Sequence, residues 1–208
     1  QWVYSWTSFR ELFSFGSKLL ASGLLDTLYK NIYQIVIGKL FSASSLGFYS
    51  RARHFAEFPS SNLTGIMQRV TYPVLCSIQD DDERLATVYR RFLKLSAFVV
   101  FPMMVGLSAV SEPFIKVLLG EKWLFAATLL SVICFSMMWY PIHAINLNLL
   151  QVKGRSDLFL RLEIIKKMVG VSILCITIPR GLIAMCIGSF FSSIICLIVN
   201  TYYTGKLI

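Results

Sequence analysis

The chain has 208 residues, of which 56% are hydrophobic and only 15% are charged, and its formal net charge is +9. About 25% of the residues of a typical soluble domain are charged, so this composition excludes an ordinary soluble protein and predicts an all-α integral membrane protein. The positive charge gives no argument for a nucleic-acid partner, because cytoplasmic loops of membrane proteins are rich in Lys and Arg.

Six apolar segments predict six transmembrane helices. They cover about residues 15–41, 46–79, 92–110, 124–152, 158–178 and 182–203, and we expect a single six-helix transmembrane bundle over residues 1–208. Lys and Arg residues are more numerous on the side that holds both ends of the chain, which predicts that both ends are cytoplasmic. The chain starts at Gln1 without the pattern of a signal peptide, so we expect Gln1 to be an internal position of a longer protein.

The first predicted helix carries a polar patch. Asp26 and Lys30 are four residues apart and share a face, with Tyr33 beside them. The two charges either neutralise each other within the patch or face the same cavity as the polar residues of the second predicted helix.

The second predicted helix is unusually polar for a membrane segment. A helical projection places the following residues within about 40° of Arg51: Phe58, Asn62, Gly65 and Arg69. Four neighbours widen this face: His54, Ser61, Gln68 and Tyr72. We call this whole set the polar stripe. Arg51 and Arg69 are 18 residues apart, or about 27 Å along a helix, which is close to the thickness of the hydrocarbon core.

A charged side chain at the bilayer centre costs about 2.5–3.5 kcal/mol, so intramembrane charges face a bundle interior or a watery cavity. The polar stripe therefore predicts a polar path along the membrane normal. Arg53 points about 160° away from Arg51, and its side chain could instead extend to the outer membrane surface. Pro59 predicts a kink within this helix.

The later segments contain fewer polar groups. His143 and Asn146 lie on nearly one face of the fourth predicted helix, next to Pro141, where they either line a cavity or form interhelical hydrogen bonds. Residues 111–123 predict an interfacial connector in which Trp123 lies at the headgroup level. Residues 153–167 predict a basic loop and the start of an amphipathic helix.

The sequence lacks the usual signs of an enzyme. It contains no motif of a hydrolase, a zinc enzyme or an ATP-binding protein, so we expect no catalytic residues and no cofactor. The acidic residues 80–83 lack the spacing of a calcium loop, so we expect no metal site there. The five cysteines lie in apolar runs, which predicts buried thiols rather than a disulfide framework. An intramembrane enzyme acting on lipid-linked sugars is the alternative.

Three stretches together resemble a known family. They are IGKLFSASSLGFYSRA at residues 37–52, LLGEKW at residues 118–123 and YPIHAINLNLLQVKGRSDLFLRLEIIKK at residues 140–167. In this order and spacing they resemble the carboxyl-terminal half of Wzx-type polysaccharide and O-antigen flippases of the multidrug/oligosaccharidyl-lipid/polysaccharide exporter superfamily. The resemblance implies one lobe of a two-lobe, MATE-like transporter with a central cavity, whose amino-terminal lobe is missing here. It also implies a bacterial inner-membrane location and the flipping of undecaprenyl-pyrophosphate-linked oligosaccharide for lipopolysaccharide or polysaccharide assembly.

Such a substrate has an anionic, hydrated head and a lipid tail, so a carrier needs a wet, cationic cavity that leaves the tail in lipid. Arginine binds phosphate oxygens bidentately, and aromatic rings stack on sugars. The predicted cationic residues of the cavity are Arg51, Arg53, Arg69 and Lys30. The predicted polar and aromatic lining is Asp26, Tyr33, Tyr49, His54, Asn62, Gln68, Tyr72, His143 and Asn146, with Asp26 or His54 as candidate ion-coupling groups.

Two rival hypotheses stay open from the sequence. One is a drug or metabolite exporter of the same superfamily, which predicts a more acidic cavity. The other is a non-transporting membrane scaffold for polysaccharide biosynthesis, in which the polar stripe is a helix interface. The expected partners are the lipid-linked oligosaccharide, membrane lipids and the amino-terminal lobe, with other polysaccharide-assembly proteins as further candidates.

Overall fold

A computed structural model describes residues 27–29 and 31–205 of the chain. The chain divides into two compact units, residues 1–42 and residues 43–208. All regular structure in the described residues is helical, as the composition predicts. Asp26 and Lys30 lie outside the described residues, so their predicted roles stay predictions.

The first unit contains helix α1, which spans Ile32–Leu40. The backbone N–H of Asn31 donates to the Thr27 carbonyl oxygen at 3.1 Å, and the Asn31 side-chain amide donates to the same oxygen at 2.9 Å. Phe41 adopts an extended conformation with ψ of −176°, which ends the helix. The helix therefore stops just before the small residues that predict a turn.

The second unit contains seven further α-helices and two short 3-10 helices, Glu121–Trp123 and Ile178–Arg180, among its described residues. The α-helices are named here in chain order. They are α2 (Ala43–Ser77), α3 (Asp82–Ala109), α4 (Ser111–Leu119), α5 (Leu124–Met137), α6 (Tyr140–Val152), α7 (Ser156–Thr177) and α8 (Leu182–Gly205). Helices α5 and α6 are central, since α2, α3 and α8 each pack against both, while α7 packs against α6 and α8.

Among the described residues, three segments are long and apolar enough to cross a membrane. They are Asp82–Ala109, Glu121–Val152 and Leu182–Gly205. The chain is thus a multi-pass membrane protein, in agreement with its composition. The count of six membrane helices and the single lobe over residues 1–208 stay predictions.

Helix α3 starts at Asp82, well before the predicted start near Phe92. The Asp81 side chain caps it by accepting a hydrogen bond from the Arg84 backbone N–H at 3.0 Å. Asp82 and Glu83 occupy the first turn, where negative charge interacts favourably with the helix dipole. The acidic run therefore begins a helix, and the polar residues after it extend α3 beyond its apolar part.

The predicted fourth helix has an internal break between α5 and α6. Pro141 has no N–H to donate to the Met137 carbonyl, which lies four residues before it. The Ser60 hydroxyl of α2 donates to this carbonyl oxygen at 2.8 Å. The break is therefore a point at which α2 is attached to the central helices.

The buried side of α2 consists largely of small residues spaced by four. Ala52, Ala56 and Ser60 are fully buried and Thr64 is 2% exposed. We call these four residues the small-residue face of α2. Small side chains let helices approach closely, which is how helices associate where no water is present to drive burial. The helix runs unbroken through Pro59 and Pro73.

The cysteines differ in their accessibility. Cys134, Cys186 and Cys196 are buried, Cys76 is intermediate and Cys175 is exposed, and all five are free thiols. The prediction of buried thiols is therefore wrong for Cys175, which lies on the outer side of α7.

Candidate functional site

The polar stripe lies on the side of α2 that the described residues leave open. Its exposed members are Arg51, His54, Phe58, Asn62, Arg69 and Tyr72, and its partly exposed members are Ser61, Gly65 and Gln68. The small-residue face lies on the opposite side and packs into the bundle. The helical periodicity of the sequence thus separates a packing side from a polar side.

The three arginines of α2 differ in their electrostatic surroundings. Arg51 and Arg69 are exposed, and within the described part of the chain neither forms an ion pair. The Arg53 side chain is only 19% exposed, and its Nε lies 3.4 Å from the Glu57 Oε2 one turn along the helix. The Glu57 carboxylate partly neutralises Arg53, so Arg51 and Arg69 are the better candidates for an anionic ligand.

A polar depression surrounds Arg69 between α2 and α6. It measures about 530 Å³ and is lined by Gly65, Gln68, Arg69, Tyr72, Asn148 and Gln151. We call it the Arg69 depression. Apart from Gly65 itself, its two chain neighbours and the nearby backbone of α2, no atom lies within 4 Å of where a Gly65 side chain would begin, so the space next to the helix is open. One end of the polar stripe is therefore part of a recess that two helices form together.

Asn148 is the most buried residue that lines the Arg69 depression. It is 7% exposed, and its Oδ1 accepts a hydrogen bond from the Gln68 Nε2 at 3.4 Å. Its Nδ2 is buried and has no hydrogen-bond partner among the described residues. Buried amide groups are normally paired, so an unpaired Nδ2 at this position is unusual.

Lys153 holds the nearby end of α6 in place. Its Nζ donates to the Gln79 carbonyl oxygen at 2.8 Å and also pairs with the Asp82 carboxylate. These contacts join the end of α6 to the turn between α2 and α3. They keep the two walls of the Arg69 depression together at this end of the bundle.

The other end of the polar stripe lies on the part of α2 that packs against aromatic residues of and near α4. The Phe48 ring packs edge-on against Trp123, with centroids 5.4 Å apart, and Phe55 packs in the same way on Phe114 at 5.3 Å. A second depression of about 500 Å³ lies nearby, lined by Ser111, Glu112, Leu124, Phe125, Ala127, Thr128 and Ser131. None of the stripe residues lines it, and Arg51 and His54 are exposed.

The predicted aromatic residues lie in different environments. Tyr72 is 41% exposed and lines the Arg69 depression. Tyr49 is 5% exposed, because it faces the packed side of α2, and its ring is not accessible to a sugar. Tyr33 belongs to α1 in the first unit. Tyr72 is therefore the predicted tyrosine that is both exposed and part of the polar stripe.

His143 and Asn146 form hydrogen bonds inside the bundle. The Asn200 Nδ2 lies 3.1 Å from the His143 Nδ1, and the His143 Nε2 lies 3.3 Å from the Ser193 hydroxyl. If Asn200 donates to Nδ1, then the Nε2–H donates to Ser193. The Asn146 Oδ1 accepts a hydrogen bond from the Tyr89 hydroxyl. These contacts join α6 to α8 and α3, which favours the interhelical interpretation of both residues over cavity lining.

Asn148 and Gln151 are not among the site residues predicted from the sequence. Both lie in the segment INLNLLQ, three residues apart and hence on one helix face. Two amides at this spacing in an apolar helix can be recognised from the sequence. The contact between Asn148 and Gln68 cannot, because these two residues are 80 positions apart in the sequence.

Comparison with known proteins identifies the family. The model of a family described as polysaccharide biosynthesis protein matches residues 1–128. The chain belongs to this family. The resemblance to Wzx-type polysaccharide flippases is thereby confirmed, and the relatives below agree with it.

Curated relatives extend the match along the chain. The teichuronic acid biosynthesis protein TuaB of Bacillus subtilis is 32% identical over 156 residues, which are 75% of this chain and 32% of TuaB. The lipopolysaccharide biosynthesis protein WzxC of Escherichia coli is 28% identical over 187 residues, which are 90% of this chain and 37% of WzxC. The succinoglycan biosynthesis transport protein ExoT of Rhizobium meliloti is 28% identical over 124 residues, covering 60% of this chain and 25% of ExoT. The chain thus spans 25–37% of the length of these relatives, and no solved structure matches it.

Proposed function

We propose that the protein moves an undecaprenyl-pyrophosphate-linked oligosaccharide from the inner to the outer leaflet of the bacterial inner membrane, by alternating access, for polysaccharide or lipopolysaccharide assembly. The observation that carries this proposal is the pair Arg51 and Arg69. Both are exposed on the same side of α2, without an ion pair among the described residues, and lie about 27 Å apart along the helix. Charges at membrane depth require water or an anionic partner.

The two arginines would act as two successive binding sites for the pyrophosphate. A guanidinium group binds phosphate oxygens through two parallel hydrogen bonds, and it remains charged in every protein environment. One binding site would receive the head group at one membrane surface, and the other binding site would release it at the opposite surface. Asn62 and Gly65 lie between them on the stripe and offer no competing charge.

We also propose that a second lobe covers the polar stripe and encloses the path. The relatives are much longer than the matched region, which leaves room for such a lobe. The described residues leave the stripe uncovered. In this arrangement six helices form the present lobe, both of its ends are cytoplasmic, and the lipid tail stays outside the enclosed path.

The test compares Arg51→Ala and Arg69→Ala in the full-length protein, produced in bacteria that lack their own copy. The measured quantity is the amount of lipid-linked oligosaccharide that reaches the outer leaflet, normalised to the amount of protein in the membrane. Because charge-assisted hydrogen bonds contribute about 1.5–3 kcal/mol, each variant should reduce export about tenfold or more. Arg90→Ala is the matched control, since Arg90 is an exposed arginine of α3 outside the stripe.

Normal export by both variants would contradict the proposal. If the variants also lost a partner protein in a pull-down while export continued, the scaffold hypothesis would replace it. The drug-exporter hypothesis would be favoured instead if both variants lost resistance to a small molecule and kept oligosaccharide export.

A further inference from the structure

We infer that the depression between α4 and α5 binds the head group of phosphatidylethanolamine, with the lipid ammonium on the Glu112 carboxylate and the lipid phosphate on nearby hydroxyl groups. We call this recess the Glu112 depression, after the acidic residue in its lining. It is separate from the proposed substrate path, since no residue of the polar stripe lines it. The bound molecule would therefore be a membrane lipid and not the transported substrate.

Glu112 carries a negative charge that no cation of the described residues neutralises. Its usual partner would be Lys116, one turn further along α4, because a glutamate and a lysine four residues apart attract each other on a helix surface. The Lys116 Nζ instead contacts the Glu121 Oε1 at 2.8 Å. The Glu112 carboxylate, which lines the depression, is therefore left to a positively charged ligand.

Two hydroxyl groups in the Glu112 depression also lack partners. Ser111 is only 6% exposed, and its hydroxyl forms no hydrogen bond with the described residues. The hydroxyl oxygen still has exposed surface, because it is not fully enclosed. Thr128 lines the same depression and is exposed, and its hydroxyl has no hydrogen bond in the described part of the chain either. Buried hydroxyl groups are normally paired, so these two groups are suited to donate to the oxygen atoms of a phosphate.

The chemistry of the depression is complementary to that of phosphatidylethanolamine. A primary ammonium has three N–H donors, and its hydrogen bonds to a carboxylate are stronger than those between neutral groups. The ring of Phe125 is 41% exposed and lines the same depression, so it offers an apolar surface to the start of an acyl chain. The volume of about 500 Å³ lies within the range of about 300–1,000 Å³ that small-molecule sites have.

The surroundings of the depression favour a lipid over a soluble amine. Val110, Val117 and Leu118 are 50%, 83% and 53% exposed. A short helix that exposes large apolar side chains in this way is typical of a segment lying in the membrane interface. The sequence predicts the same location, because residues 111–123 form the interfacial connector with Trp123 at the headgroup level.

Other ligands fit the Glu112 depression less well. The pyrophosphate of the proposed substrate and the head group of phosphatidylglycerol are anionic, so the carboxylate repels them. Phosphatidylcholine has a quaternary ammonium, which has no N–H to donate. A metal ion such as Ca²⁺ takes about six to eight oxygen ligands, and the described residues contain no group of three His, Cys, Asp or Glu side chains that could hold a metal.

The experiment measures lipid binding to the full-length protein in detergent by native mass spectrometry. The probes are dioleoylphosphatidylethanolamine, dioleoylphosphatidylcholine and dioleoylphosphatidylglycerol, which have identical acyl chains. The wild-type protein should bind phosphatidylethanolamine more tightly than the other two lipids. Glu112→Gln should weaken phosphatidylethanolamine binding about tenfold or more, the equivalent of one charge-assisted hydrogen bond, and change phosphatidylcholine binding less than about twofold.

Glu83→Gln is the matched control. Glu83 is an exposed glutamate in the first turn of α3, as Glu112 is in the first turn of α4, so both substitutions remove the same favourable interaction with a helix dipole. Glu83 lies outside the depression, and Glu83→Gln should leave the binding of all three lipids unchanged.

Thr128→Val tests the hydroxyl groups separately, at an exposed position that tolerates the change. All three lipids contain a phosphate. The loss of this hydroxyl should therefore weaken the binding of phosphatidylethanolamine and phosphatidylcholine alike, by about three- to tenfold.

The lipid site is overturned if the wild-type protein binds phosphatidylethanolamine no more tightly than phosphatidylcholine and phosphatidylglycerol. It is also overturned if Glu112→Gln and Glu83→Gln have equal effects on phosphatidylethanolamine binding. The comparison of the three lipids needs no variant, so it decides the matter even if Glu112→Gln fails to fold.

Discussion

The two sides of α2 are built from different residues for different purposes. The small-residue face is fully or almost fully buried and attaches the helix to α5 and α6. The polar stripe on the other side is exposed and carries Arg51 and Arg69 without ion pairs in the described part of the chain. Packing therefore uses side chains with little volume, and the proposed substrate path uses side chains with charge. Since the two sets share one helix, substitutions can separate folding from export.

The largest effect on folding is expected from Ala56→Leu. Ala56 is fully buried on the small-residue face, so a leucine there must push α2 away from the central helices. Overpacking of this kind destabilises proteins by about 1–3 kcal/mol. Thermal unfolding of the purified protein in detergent, followed by fluorescence-detected size exclusion, should show a lower Tm. The matched control is Phe58→Leu on the exposed stripe; an equal loss of Tm in both variants would refute the division of α2 into two sides.

A smaller effect is expected from Ser60→Ala. This change removes the hydroxyl that donates to the Met137 carbonyl at the break between α5 and α6. Loss of one such hydrogen bond should cost about 1 kcal/mol, measured in the same unfolding assay. Ser61→Ala serves as control, because Ser61 is partly exposed on the stripe. A Tm for Ser60→Ala that matches Ser61→Ala would mean that the Met137 carbonyl finds another donor.

The smallest effect is expected from Arg53→Gln. Arg53 is paired with Glu57, so its charge is already partly balanced and contributes less to an anionic ligand than Arg51 does. Ion pairs one turn apart on a helix contribute about 0.3–0.5 kcal/mol, so stability should hardly change. In the export assay, Arg53→Gln should stay within about twofold of the wild type, while Arg51→Gln should resemble Arg51→Ala. Equal export defects in Arg53→Gln and Arg51→Gln would show that the pairing with Glu57 is irrelevant.

The sequence was sufficient for the features that depend on local periodicity. The helical class and the side of α2 that carries the arginines follow from hydropathy and from the angle between residues. Tyr49 shows the limit of choosing by residue type, since its angle on α2 turns its ring into the bundle. The start of α3 was missed because its first turns are polar and are stabilised by the Asp81 cap rather than by apolar residues.

The Arg69 depression could not be predicted in the same way. Its walls are α2 and α6, and the contact between Gln68 and Asn148 joins positions that only tertiary packing brings together. The same holds for His143, for which the sequence allowed both a cavity and an interhelical bond. Its contacts with the Asn200 and Ser193 side chains of α8 favour the interhelical bond.

The accessibility of the cysteines has a practical consequence for chemical labelling. Cys134, Cys186 and Cys196 are buried, so Cys76 and Cys175 are the native thiols that a reagent reaches most readily. Replacing these two leaves a background suited to introducing single cysteines along the stripe, for example at Asn62. Membrane-impermeant maleimides applied from one side would then map, position by position, where water reaches α2 and where lipid excludes it.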